Sequence, residues 1–119
     1  MTQDHSVVIH HNPACGTSRN VLELIRQSGR EPVIHEYLRS GWTRPQLETL
    51  FAAMGKRPRD LLRVRGTPAE SLGLTAEDAS DDAILAAMVE HPILVERPIV
   101  ESPKGVRLCR PAEAVAALL

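Results

Sequence analysis

Residues 10–20 read HHNPACGTSRN and carry Cys15, one of two cysteines in the chain. A cysteine becomes a nucleophile only as its thiolate, which is favoured at a helix N-terminus and near cationic groups. The apolar run SVVI precedes this stretch and the helix-like NVLELIRQSG follows it. Cys15 therefore sits where the unpaired N–H groups of a helix start point at its sulfur. His11 and the hydroxyls of Thr17 and Ser18 stand close enough in sequence to stabilise the anion further. A free cysteine elsewhere is more often a small buried hydrophobe. Here Pro13, Ala14, Gly16 and Thr17 offer no apolar surroundings, and the nucleophile is the preferred reading.

The loop reads C-G-T-S, so Ser18 occupies the place where a dithiol oxidoreductase has its second cysteine. A resolving thiol must come from elsewhere. Cys109 is the only internal candidate. It adjoins Arg110, and neighbours on an extended strand face opposite sides. If Arg110 faces the site, Cys109 faces the core, and an external thiol is the better partner. A disulfide between Cys15 and Cys109 has no local support in the sequence.

Arginine supplies planar, bidentate recognition of tetrahedral oxyanions. Arg63, Arg97 and Arg110 stand at suggestive places, the last two beside prolines. Residue type alone does not separate them from Arg57, Arg59, Arg65 and Arg107, which read as surface residues. His10 and His11 lie near Cys15, but adjacent strand residues diverge and no second ligand cluster follows, so no metal site is expected. His91 reads as a helix C-terminal cap, while His5 and His35 carry no signal.

These groups must be positioned by a fold. Val7, Val8 and Ile9 predict a buried strand, and Val21, Leu22, Leu24 and Ile25 a helix ended by Gly29. A second strand is expected from Val33 to Tyr37, parallel to the first because a helix separates them. Thr43, Pro45 and Gln46 form a helix-start pattern, with Leu47, Leu50, Phe51 and Met54 on one face and Gly55 at the end. Thr67, Pro68 and Glu70 predict a short helix ending near Gly73. Another starts at Ser80 with Asp81 and Asp82, buries Ile84, Leu85, Met88 and Val89, and stops at His91-Pro92. ILVERPIV and GVRLCR read as an antiparallel hairpin joined by SPKG. Pro111 opens a last helix with Val115, Leu118 and Leu119 inward. The order is βαβ, helices, then ββα: an α/β, thioredoxin-like arrangement with a helical insertion between its halves. The expectation is a single domain over residues 1–119, with the insert at about 43–90.

At 119 residues the chain can bury a core of its own. Its net charge of −1 opposes a general nucleic-acid binder or a polybasic membrane protein. KRPRDLLRVR also lacks the aromatic interleaving of a nucleic-acid surface. No apolar span approaches membrane length, and MTQDH has no signal-peptide pattern. Two distant cysteines without an export signal suggest reduced thiols in the cytoplasm.

HNPACGTSRN, HPILVERPIV and RLCRP, in this order and with LLR at Leu61–Arg63, closely resemble the signature motifs of the glutaredoxin-coupled arsenate reductases. The resemblance runs from about Ile9 to the end, although some relatives continue with a longer C-terminal tail. It implies a thioredoxin-like fold with a helical insert, Cys15 as catalytic nucleophile, and His11 and Ser18 as residues that help ionise it. It further implies that Arg63, Arg97 and Arg110 hold the arsenic oxyanion and that Pro98 is the cis proline beside the active cysteine. Arsenate would be the substrate, glutathione the co-substrate and glutaredoxin the partner, with no bound cofactor or metal. The phosphatase-like arsenate reductases use a C-x5-R loop, which the Cys15–Arg19 spacing excludes. Two alternatives remain within the wider family. One is a redox regulator that binds RNA polymerase, although such proteins typically carry C-x-x-C where this chain has Ser18. The other is a generic glutathione-dependent thiol protein.

Overall fold

Val7 and Ile9 have no exposed surface, and the strand that carries them, β1 (Asp4–His10), lies inside a four-stranded sheet. The structure is a computed structural model that describes residues 4–119. β1 runs parallel to β2 (Pro32–His35) on one side and antiparallel to β3 (Ile99–Ser102) on the other. β3 pairs antiparallel with β4 (Gly105–Leu108), giving the order β2-β1-β3-β4. The parallel pair, the hairpin and the βαβ–ββα plan agree with the expectation from sequence.

Strand alternation gives the sheet two unlike faces. Val7, Ile9 and Val100 share one face. There they form an apolar cluster with Val21 and Ile25 of helix α1 (Gly16–Gln27), Cys109, and Ala112, Val115 and Leu118 of the C-terminal segment. Leu119, expected to point inward, is half-buried against the same cluster. That last segment, Ala112–Leu118, is a 3-10 helix. α1 stops where Gly29, at φ +91°, turns the chain back, its N–H bonded to Arg26 O at 3.0 Å.

The chain divides into two compact units, residues Met1–Ser40 with Arg97–Leu119, and residues Gly41–Glu96. The second unit is built by helices with recognisable starts. In α3 (Arg44–Met54) Thr43 accepts the Gln46 N–H at 3.2 Å, and the Gln46 side chain accepts the Thr43 N–H at 3.4 Å. Gly55, in the left-handed region at φ +66°, ends it. In α4 (Asp81–Glu90) the Ser80 hydroxyl accepts the Ala83 N–H at 3.1 Å, and the C-cap is His91.

Several local expectations need correction. β2 ends at His35, and Tyr37 begins a single helical turn, α2 (Tyr37–Ser40); its ring is buried all the same. Residues 67–73 form turns rather than a helix. Their N–H groups reach back by unequal steps, Leu72 to Pro68, Gly73 to Glu70 and Leu74 to Ala69, so no repeating ladder develops. Of ILVERPIV only Ile99 and Val100 join the sheet, as the start of β3. Pro92–Leu94 is a 3-10 turn, and Val95 instead bridges Leu62 within the second unit. Pro92 and Pro98 have no N–H to give a ladder, which confines β3 to the residues after them. Val89 lies past the edge of the α4 apolar stripe and is exposed. Arg59 is half-buried, because its Nη2 donates to Ala79 O at 2.7 Å and to Glu77 O at 3.3 Å.

Ile25 is fully buried in the apolar cluster, so Ile25→Ala removes packing that its neighbours can only partly refill. Urea unfolding should show a loss of about 2–5 kcal/mol. A loss below about 1 kcal/mol would contradict this placement of α1.

Candidate active site

Cys15 is the N-cap of α1, with extended backbone (φ −93°, ψ 122°) and no side-chain hydrogen bond of the usual capping kind. The loop before it is held by local contacts. Cys15 N–H donates to Asn12 O at 3.0 Å, and Ala14 N–H donates to Asn12 Oδ1 at 3.0 Å. Arg19 closes the loop from the first turn of α1, donating to Pro13 O at 2.9 Å. The short bonds at a strand end leave the sulfur at the helix start, half-buried.

Burial is the largest influence on the Cys15 thiol and opposes ionisation. The backbone N–H of Ser18, the Arg97 guanidinium by hydrogen bond and by charge, and the N–H of Thr17 together outweigh it. The thiol is held below its ordinary value. Arg110 adds a second guanidinium, with Nη1 3.9 Å from Cys15 Sγ and 3.2 Å from the Arg97 carbonyl oxygen it donates to. Nε and Nη1 of Arg97 are buried and have no hydrogen-bond partner among the described residues. A buried donor left in this state costs stability unless something accepts from it.

His11 is buried and acts through geometry. Burial, the largest influence, lowers its pKa, as do the charges of Arg26 and Arg19, while Glu36 partly opposes them. The ring is therefore mainly neutral near pH 7. Its Nδ1 lies 2.7 Å from the Ser18 hydroxyl, which also accepts the Asn12 N–H at 3.1 Å. The Ser18 side chain thus buttresses the loop, while its backbone N–H faces the thiolate.

Pro98 is buried, and the Arg97–Pro98 peptide is cis. Its carbonyl accepts the Cys109 N–H at 2.9 Å. Arg110 turns toward Cys15, and Cys109 turns into the core, its thiol pushed up to about 11 by burial. Both cysteines are free thiols. Arg63 belongs to the other unit, where its Nη1 pairs with Glu96 Oε1 at 3.0 Å and its N–H donates to Leu94 O at 2.7 Å. Asn12 escaped the sequence reading; the Asn-Pro pair, which favours a side-chain-supported turn, was its available signal. Among the described residues no group of three or more His, Cys, Asp or Glu could hold a metal ion. Nor is any helix long and apolar enough to cross a membrane.

The sequence pattern of the ArsC family matches residues 10–118. An arsenate reductase of Synechocystis sp. is 57% identical over 116 residues, covering 98% of this chain and 81% of the relative. An arsenate reductase of Escherichia coli is 52% identical over 114 residues, covering 96% and 81%. The solved structure of an arsenate reductase from Vibrio cholerae superposes with a TM-score of 0.91 at 38% identity, covering 98% of this chain and all of the other.

Two pH experiments follow from the thiols. Alkylation of Cys15 by iodoacetamide should rise through a midpoint below that of an ordinary cysteine, and Arg97→Ala should move the midpoint up; an unmoved midpoint would remove Arg97 from the thiolate's environment. Cys109 has the opposite sign. Its raised folded value contributes stability below the ordinary cysteine value near 9, and that contribution is lost as pH rises toward about 11. Urea midpoints should fall across that window, and more steeply than in Cys109→Ala; parallel curves would contradict the burial.

Proposed function

The chain belongs to the ArsC family, and on that premise we propose that it is an arsenate reductase that draws its electrons from glutathione and glutaredoxin. The observation that carries the reading is the pairing of a thiolate-favouring Cys15 with buried Arg97 donors that lack a partner among the described residues. An oxyanion with several acceptor oxygens supplies such partners, and Arg110 stands beside them.

Arsenate binds against Arg97 and Arg110, and the Cys15 sulfur attacks arsenic. One arsenate oxygen is protonated and leaves as water, so a sulfur–arsenic bond replaces an oxygen–arsenic bond and arsenic stays pentavalent. A glutathione thiolate then attacks the Cys15 sulfur. The sulfur–arsenic electron pair remains on arsenic, which departs as trivalent arsenite, and the two sulfurs join as a mixed disulfide. Glutaredoxin returns Cys15 to the thiol by exchange. The loop's single cysteine and the burial of Cys109 both favour this external thiol. Phosphate matches arsenate in shape and charge, so guanidinium groups alone do not separate them; thiols reduce pentavalent arsenic but not pentavalent phosphorus, and the chemical step discriminates. His11 and Ser18 serve by holding the loop, Pro98 by shaping the chain after Arg97, and Arg63 is assigned to the oxyanion by the resemblance of its motif. The thiol chemistry suits the reducing cytoplasm.

Purified protein should reduce arsenate only with glutathione and glutaredoxin both present, and Cys15→Ser should abolish turnover. Activity that survives this substitution would refute the mechanism. Arg110→Ala and Arg63→Ala should each raise the arsenate KM or lower kcat by tenfold or more, the order of one lost charge-assisted contact of about 1.5–3 kcal/mol; unchanged kinetics would remove that arginine from the site.

A further inference from the structure

The sheet face opposite the apolar cluster carries a polar row. Register pairs His10 with His35 and Val8 with Glu101, so alternation brings Glu101 of β3, His10 of β1 and His35 of β2 to the same face. Glu101 Oε2 lies 2.6 Å from His10 Nε2, and His10 Nδ1 lies 2.8 Å from His35 Nδ1. The two rings stand edge-on, 89° apart with centroids at 5.0 Å. His10 is 2% exposed, whereas the Glu101 side chain is 36% exposed. An ionised carboxylate only accepts, so His10 Nε2 carries a proton. The contact between the two Nδ1 atoms needs one more. Each ring is thereby fixed in orientation by its neighbour, in a chain that starts at a carboxylate.

The row ends beside the active loop. The carbonyl of His35 accepts the His11 N–H at 2.8 Å. His11 Nδ1 holds the Ser18 hydroxyl at 2.7 Å, and the Ser18 N–H stabilises the Cys15 thiolate. We propose that Glu101 is a positioning residue for Cys15, acting through His10 and His35 on the His11–Ser18 contact that aims the first turn of α1 at the sulfur. The proposal rests on the reading above only in taking Cys15 as the nucleophile. Glu101, His10 and His35 need touch neither arsenate nor glutathione.

The sign of the effect separates positioning from simple electrostatics. Deleting a nearby anion would ease ionisation of a thiol, whereas loosening the loop would hinder it. The test measures Cys15 alkylation by iodoacetamide against pH, with melting temperature in parallel. Glu101→Leu removes the acceptor for His10 and should raise the Cys15 midpoint, slowing alkylation on its acid side by about threefold or more, equivalent to half a pKa unit. Glu101→Gln keeps an acceptor in place and should restore the parental rate. Should Glu101→Leu fold poorly, His10→Leu breaks the same row at its centre and should give the same upward shift. A lowered melting temperature with a parental midpoint, a downward shift, or a Gln variant as impaired as Leu would each overturn the proposal. Iodoacetamide contains no arsenic, so a protein with no arsenate turnover would refute the proposed function and leave this result standing.

Discussion

The Cys15 sulfur is pulled in two directions, and the structure turns on which prevails. Burial favours the neutral thiol, while the Ser18 and Thr17 N–H groups and the Arg97 guanidinium favour the anion, and the anion gains. That result needs a helix that begins at the cysteine and a cation delivered from a distant part of the chain. It explains why the loop before α1 is tied down by Asn12, Ser18 and Arg19, residues that do not themselves bear the reactive atom. A helix start displaced by one residue would aim its N–H groups elsewhere.

The sheet supplies the second requirement. β1 lies between β2 and β3, so its C-terminal end, where the active loop begins, adjoins the segment that leads into β3. Arg97 and Pro98 occupy that segment, and Cys109-Arg110, which follow β4, lie beside it, with the Cys109 N–H on the Pro98 carbonyl. Alternation then divides the labour: Arg110 turns to the sulfur and Cys109 into the core. With Cys109 buried and difficult to ionise, the Cys15 sulfur has the Arg97 and Arg110 guanidinium groups beside it rather than a second thiol.

Sequence conveyed the parts that depend on local order. The position of Cys15 at a helix start, the Thr43–Gln46 box, the Ser80 cap and the β3–β4 hairpin all follow from residues a few positions apart. The residues meant to meet the oxyanion are separated by long stretches, and the motif resemblance, rather than their spacing, singled them out. Where a side-chain preference competed with backbone hydrogen bonding, local reading failed. Tyr37 is buried as a strand former should be, yet its backbone turns, and Val95 bridges Leu62 outside the sheet. The row of Glu101, His10 and His35 was invisible for another reason: only strand register brings these residues together. His35 alone carries no signal.

The central claim is that Cys15 accepts glutathione only after it has bonded to arsenic. Intact-mass analysis and peptide mapping of protein incubated with arsenate and glutathione, with glutaredoxin left out, test it most directly. The account predicts one glutathione on Cys15, none on Cys109, and formation only when arsenate is present. Cys15 left unmodified, or modified equally without arsenate, would contradict it.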